Sequence, residues 1–172
     1  IIIGIRFQTQ SGKSYIVHCV LHHLSELFYP VPTKVIYCHG EYQKESDELL
    51  SHVELVEGFP SDVAKLTQGH DNSLIVLDDL LSQWSNDQQV ADLFTRGSHH
   101  NGISVLYLTQ NLFQPGKLSH TISLNSYYIL VFRNPRDSLG IATLAKQMFP
   151  GHTNYVMESF RDASTKLYGI PA

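Results

Sequence analysis

Gly12, Lys13 and Ser14 follow an apolar run at residues 1–5 and open onto a stretch whose apolar residues recur at helical spacing. Strand, Gly-Lys-Ser, helix is an order that gathers backbone N–H groups, a helix N-terminus and an ammonium group around phosphate oxygens. Lys13 would reach the outer phosphates of a nucleoside triphosphate, and Ser14 would hold its Mg2+. The nucleotide-binding candidates are Gln10, Ser11, Gly12, Lys13, Ser14 and Tyr15, with ATP and Mg2+ as the implied ligands. The same tripeptide also occurs in plain strand-to-helix turns, where Ser11 or Ser14 would cap the helix.

The front of this loop departs from the full pattern. G-x-x-x-x-G-K-[ST] places glycine at position 7, and this chain has Phe7. Glycine reaches backbone angles and close approaches that a bulky aromatic disfavours. Holding Phe7 in the same loop shape would cost about 1–3 kcal/mol.

Three further segments carry groups that such a loop needs. Residues 73–77 are a continuous apolar run ending in Asp78-Asp79. Asp78 would bind Mg2+, and Asp79 would take the proton of an attacking water; alternatively, the pair caps the following turn. A second apolar run, 103–108, ends in Thr109-Gln110-Asn111. The Gln110 amide there would sense the terminal phosphate or orient water, or else satisfy loop backbone. The segment 94–102 joins these two regions and contains Arg96, His99 and His100. Arg96 would stabilise transition-state charge in a neighbouring subunit or compensate a helix C-terminus. The two histidines read equally as structural or pore-facing.

The remaining pattern supplies the elements that must position these groups. Residues 1–6 read as a buried strand. Ile16, Val20, Leu24, Leu27 and Phe28 predict a helix over 15–28, ended by Pro30 and Pro32. Residues 34–39 read as a strand, 42–50 as weakly helical, and 53–56 as a short strand closed by Gly58. Ser61 is the expected cap of a short helix with Val63, Ala64 and Leu66, and Gly69 and Asn72 mark a turn. Residues 85–94 predict a helix with Val90, Leu93 and Phe94 on one side and Gly97 as its stop. Residues 113–124, with Pro115 and Gly116, read as a long loop in which Lys117 and His120 are candidate pore contacts. A strand at 127–132 precedes a helix begun by Asn134 and Pro135, with Ile141, Ala145 and Met148 on its face and Pro150-Gly151 at its end. A helix over 153–160 and a strand over 165–170 complete the chain. Strands alternating with helices predict a three-layer α/β fold, a mainly parallel central sheet with helices on both faces. In such sheets ligands bind at the carboxyl ends of the strands.

Composition sets the bounds. A chain of 172 residues builds one substantial domain, 1–172, and its start on a core strand reads as a fragment lacking an N-terminal extension. At 42% apolar and 16% charged it reads as globular. No apolar run approaches the roughly 18–20 residues a membrane span needs. A formal charge of −4 argues against a bulk nucleic-acid binder, yet it leaves room for a few basic groups lining a channel. Cys19 and Cys38 lie in apolar surroundings, as reduced thiols of an intracellular protein would. His18 and His22 have the i, i+4 spacing of a metal pair, but no acidic or Cys partner sits in that motif, and His18, His22 and His23 read as exposed or core-edge residues.

Taken together, Asp78-Asp79 after an apolar strand, Thr95-Arg96-Gly97-Ser98-His99-His100, Leu108-Thr109-Gln110-Asn111-Leu112-Phe113 and Phe132-Arg133-Asn134-Pro135-Arg136-Asp137 resemble the poxvirus-type genome-packaging ATPases. These belong to the FtsK/HerA group of P-loop translocases, with related copies in large DNA viruses and Maverick/Polinton-type elements. The resemblance runs from the phosphate loop to about Pro150. It implies a RecA-like core in a homo-oligomeric ring, ATP hydrolysis driving double-stranded DNA, and capsid or portal proteins as partners. It implies an intracellular or virion-associated location and no membrane span. On the matching positions, Lys13 and Ser14 belong to the phosphate loop, Asp78 and Asp79 are the metal and water-activating carboxylates, and Gln110 is the polar sensor. The arginine finger is Arg96 or Arg133. Two other readings stay open on the residues themselves. One is a P-loop small-molecule or nucleotide kinase, against which the short, lid-poor middle counts. The other is a non-catalytic P-loop assembly protein, which Phe7 suggests.

Overall fold

The computed structural model describes residues 2–6, 13–40, 52–78, 88–97, 102–110, 117–132 and 138–165. Two compact units divide the chain, Ile1–Val131 and Phe132–Ala172. In the first, the apolar runs become strands β1 (Ile2–Arg6), β2 (Lys34–His39), β3 (Val53–Glu57), β4 (Ser73–Asp78), β5 (Ile103–Thr109) and β6 (Tyr128–Val131). They form one six-stranded sheet in the order β3-β2-β4-β5-β1-β6, and every pairing is parallel. The helices between them are α1 (Lys13–His22), α2 (Leu24–Leu27), α3 (Val63–Leu66), α4 (Gln88–Asp92), which continues as a π-helical segment Leu93–Gly97, and α5 (Lys117–Asn125).

Parallel strands need crossovers, and crossovers are right-handed in nearly all proteins. The chain steps one way across the sheet from β1 to β2 to β3, then back through β4, β5 and β6. That reversal sends the early helices to one face and the later ones to the other. Packing agrees. Val63, Leu66, Val90, Leu93, Phe94 and Ile122 cluster with Ile36, Cys38, Ile75, Leu77, Val105 and Tyr107. The residues that alternate with these along the strands, Val35, Leu74, Val76, Leu106 and Leu108, are buried too. A strand covered on both faces loses the period-two signal and becomes a continuous apolar run, which is what 73–77 and 103–108 are. Phe94, fully buried, meets Tyr107 edge-on with ring centroids 5.9 Å apart. At the β3 edge, by contrast, Glu54 and Glu57 are exposed, and edge charge discourages strand addition from outside. Glu54 pairs with Lys34 across the β2–β3 ladder at 2.9 Å.

Several local expectations change. The predicted helix over 15–28 starts two residues earlier, at Lys13, and is interrupted at His23, whose Nδ1 donates to the Cys19 carbonyl at 2.8 Å. The α3 cap is Asp62 rather than Ser61, its carboxylate accepting from the Lys65 N–H at 3.0 Å. The largest change is at 117–125, read as loop and found as helix α5. Its Ser, Thr and Ile content is poor for helix, but Ile122 docks into the core cluster, and that burial outweighs propensity. His120 is exposed on this helix.

The second unit contains α6 (Ser138–Met148) and α7 (Thr153–Thr165), which pack against each other. Ile141 and Ala145 of α6 are buried, whereas Met148 is half exposed. Gly151, at φ +90°, makes the turn between the two helices. α7 continues through Thr165, so the strand expected from that residue does not start there. The expectations at 42–50 and 166–170 and the Asn134-Pro135 helix start lie outside the described residues.

Cys38 sits in the middle of this core, and burial, with the Glu54 carboxylate second, pushes its thiol up to about 12 from 9.0. The unfolded thiol ionises near 9 and the folded one does not, so the unfolded state carries fewer protons above that pH. The stabilisation is therefore present below about pH 9 and lost as pH rises towards 12. Urea midpoints taken from pH 8 to 11 should fall. In Cys38→Ala the fall should be shallower by up to about 1.4 kcal/mol per pH unit. Equal slopes in the two proteins would remove Cys38 from the alkaline transition.

Candidate functional site

Because all six strands are parallel, their carboxyl ends share one edge of the sheet. Strand order then decides which ends are neighbours. β5 lies between β1 and β4, and Leu108 is in register with Ile5 on one side and Asp78 on the other. β1 therefore ends beside the end of β5, with the end of β4 one strand further. Gln110, exposed, follows directly on β5. Lys13 and Ser14 are the first residues of α1, at the helix N-terminus where unpaired N–H groups and the positive end of the dipole favour an anion. Tyr15 follows them and is 66% exposed.

Asp78 is half-buried at the last position of β4, and the neighbouring strand holds it. The Tyr37 hydroxyl donates to Asp78 Oδ2 at 2.7 Å. Burial, and then the Asp78 charge beside it, push the Tyr37 phenol far above its ordinary range, so the hydroxyl remains a donor. The His39 ring lies 6.4 Å from the Tyr37 ring on the same strand. Composition alone could not single out Tyr37. Its only sequence signal is an aromatic with a polar tip inside an otherwise apolar strand, and its partner depends on the β2–β4 register.

The structure thus brings Asp78 and Gln110 to neighbouring strand ends at one edge of the sheet, and Lys13 and Ser14 open the helix that follows β1. Arg96 is not among them. It lies in the π-helical segment Leu93–Gly97 on the crossover from β4 to β5. Gln10, Ser11, Gly12, Asp79 and Arg133, like Phe7, His99 and His100, lie outside the described residues. A strand-end carboxylate suits Mg2+, a cation that prefers hard oxygen donors, and the N–H groups of a helix N-terminus suit phosphate. Among the described residues no group of three or more His, Cys, Asp or Glu side chains could hold a metal by itself. Likewise none of the described helices is long and apolar enough to cross a membrane. His18 is half-buried and His22 exposed on α1.

The same architecture occurs in a solved structure, the genome packaging NTPase B204 of Sulfolobus turreted icosahedral virus 2 in complex with ATP-gammaS. The likeness has a TM-score of 0.61 and 14% identity, over 91% of this chain and 85% of that one. What the two share is the fold, a mainly parallel α/β sheet with helices. No protein-family model and no curated protein sequence matches the chain.

Proposed function

We propose that this chain is the ATP-hydrolysing motor domain of a machine that translocates double-stranded DNA, its cargo a viral genome entering a capsid. The observation that carries this reading is the strand order. With β5 between β1 and β4, the strand end that leads to Gln110 lies between the end of β1 and Asp78, in a fold shared with a viral genome-packaging NTPase. In this reading Gln10 to Tyr15 hold the triphosphate. Ser14 and Asp78 hold Mg2+, which when bound neutralises charge on the phosphate oxygens. Asp79 takes the proton of the attacking water, and Gln110 orients that water. Copies of the chain form a ring, and Arg96 or Arg133 reaches a neighbour's nucleotide as an arginine finger. Capsid or portal proteins complete the partners, inside an infected cell or in the virion.

Purified protein is expected to hydrolyse ATP only with Mg2+, and faster when double-stranded DNA is added. Absence of Mg2+-dependent hydrolysis under both conditions would rule out the motor. Phe7 favours a second reading, an assembly protein built on a P-loop that no longer hydrolyses ATP. Phe7→Gly assayed in parallel separates the two: a large gain marks a damaged loop, whereas unchanged strong hydrolysis marks a loop built around the aromatic.

A further inference from the structure

Tyr37 lies on β2, a strand that contributes none of the residues assigned above. Yet its hydroxyl donates to the proposed metal-binding carboxylate, 2.7 Å to Asp78 Oδ2. We propose that Tyr37 is a positioning residue that sets the orientation in which Asp78 meets the Mg2+ of the bound nucleotide. This rests on the nucleotide site proposed above.

Register makes the contact. Tyr37 pairs with Val76 and His39 with Asp78, so Tyr37 is the diagonal neighbour of Asp78 across the ladder. Only a long side chain bridges that diagonal. Both backbones are held in place, since β2 and β4 pair over their whole lengths and Ile36, Cys38, Ile75, Val76 and Leu77 around the pair are buried. A phenylalanine at 37 would fill the same volume without bringing a hydroxyl into the fold that needs a partner. What the hydroxyl adds is a bond to one carboxylate oxygen, which stops the carboxylate from turning about its own axis. Hydrogen bonds of this kind behind a metal ligand characteristically change metal affinity by 10- to 100-fold.

The test uses the full chain as wild type, Tyr37→Phe, Asp78→Asn and the double variant, with ATP-gammaS binding measured in Mg2+ and in EDTA. Thermal unfolding is followed alongside. Tyr37→Phe is expected to weaken binding in Mg2+ by about 10-fold, to leave binding in EDTA unchanged, and to add nothing in the Asp78→Asn background. Three results would overturn the inference. If Asp78→Asn loses the Mg2+ dependence and Tyr37→Phe keeps it, the metal site stands and the positioning role falls. If Tyr37→Phe weakens binding equally with and without Mg2+, its role is general packing. If the wild type shows no Mg2+ dependence, the site reading falls and takes the inference with it.

Discussion

Lys13→Ala is expected to lower Mg2+-dependent ATP hydrolysis by about 100-fold or more, the scale on which removing a charge-stabilising group acts. Lys13 opens α1 directly after the β1 connection. Its backbone N–H belongs to the helix N-terminus in either residue, so the substitution removes the ammonium and little else. Alanine is the best helix former, which keeps the start of α1 intact and makes unfolding a poor explanation for lost activity. The checks are the turnover rate, the affinity for ATP-gammaS and the melting temperature, measured together. A melting temperature within a few degrees of wild type, with hydrolysis lost, assigns the loss to phosphate contacts. Hydrolysis that survives the substitution would mean the phosphates are held somewhere other than the β1–α1 connection.

The second large effect is on folding and lies at the far edge of the sheet. Gly102 precedes β5 at φ +61°, and a Cβ there would come 2.1 Å from the Asp71 carbonyl oxygen. The left-handed backbone alone costs an alanine about 1–2 kcal/mol, and the obstacle is main chain, which cannot rotate aside. The glycine carbonyl also accepts from the Ser73 N–H at 3.1 Å, while the adjacent Asn72 carbonyl accepts from the Thr33 N–H at 2.9 Å. These bonds tie the amino ends of β2, β4 and β5, the three strands at the centre of the core. Gly102→Ala is expected to cost about 3 kcal/mol, the range of a severe single substitution, and to lower the melting temperature by roughly 6–12 °C. Gly102→Asn separates the two causes. Asparagine tolerates the left-handed region but still carries the Cβ, so it should remain nearly as unstable as alanine. A loss below about 0.5 kcal/mol in both would contradict the close approach.

Much of this protein is local enough to be legible in sequence. The strands at 34–39, 73–78 and 103–109 are runs of apolar and β-branched residues, and they occur where the runs are. Gly69 and Gly151 adopt the positive φ angles that turn glycines exist to provide. Alternation of strands and helices was enough for a parallel sheet covered on both sides. Asp78 and Gln110 stood out because each ends an apolar run, and a residue that ends a buried strand must emerge at an edge. The helix α5 was hidden for the opposite reason. Its residues favour helix weakly, and it forms because Ile122 finds the core.

What tertiary structure decided was adjacency. Nothing in the one-dimensional order places β5 between β1 and β4, because Lys13, Asp78 and Gln110 belong to three strand ends far apart in sequence. Parallel pairing puts the strand ends at one edge, the reversal of crossover direction sets their order there, and a right-handed chain can make that reversal only with helices on opposite faces. Tyr37 shows the same point at the scale of one bond. Its hydroxyl reaches Asp78 because β2 and β4 pair in one register, and a slip of one residue would point it to the other face. Residue types and spacing determined the chemical groups and the strand ends that carry them. Strand order and register determined which of those groups meet, because pairing energy depends on the long-range burial of whole strands and not on any local segment.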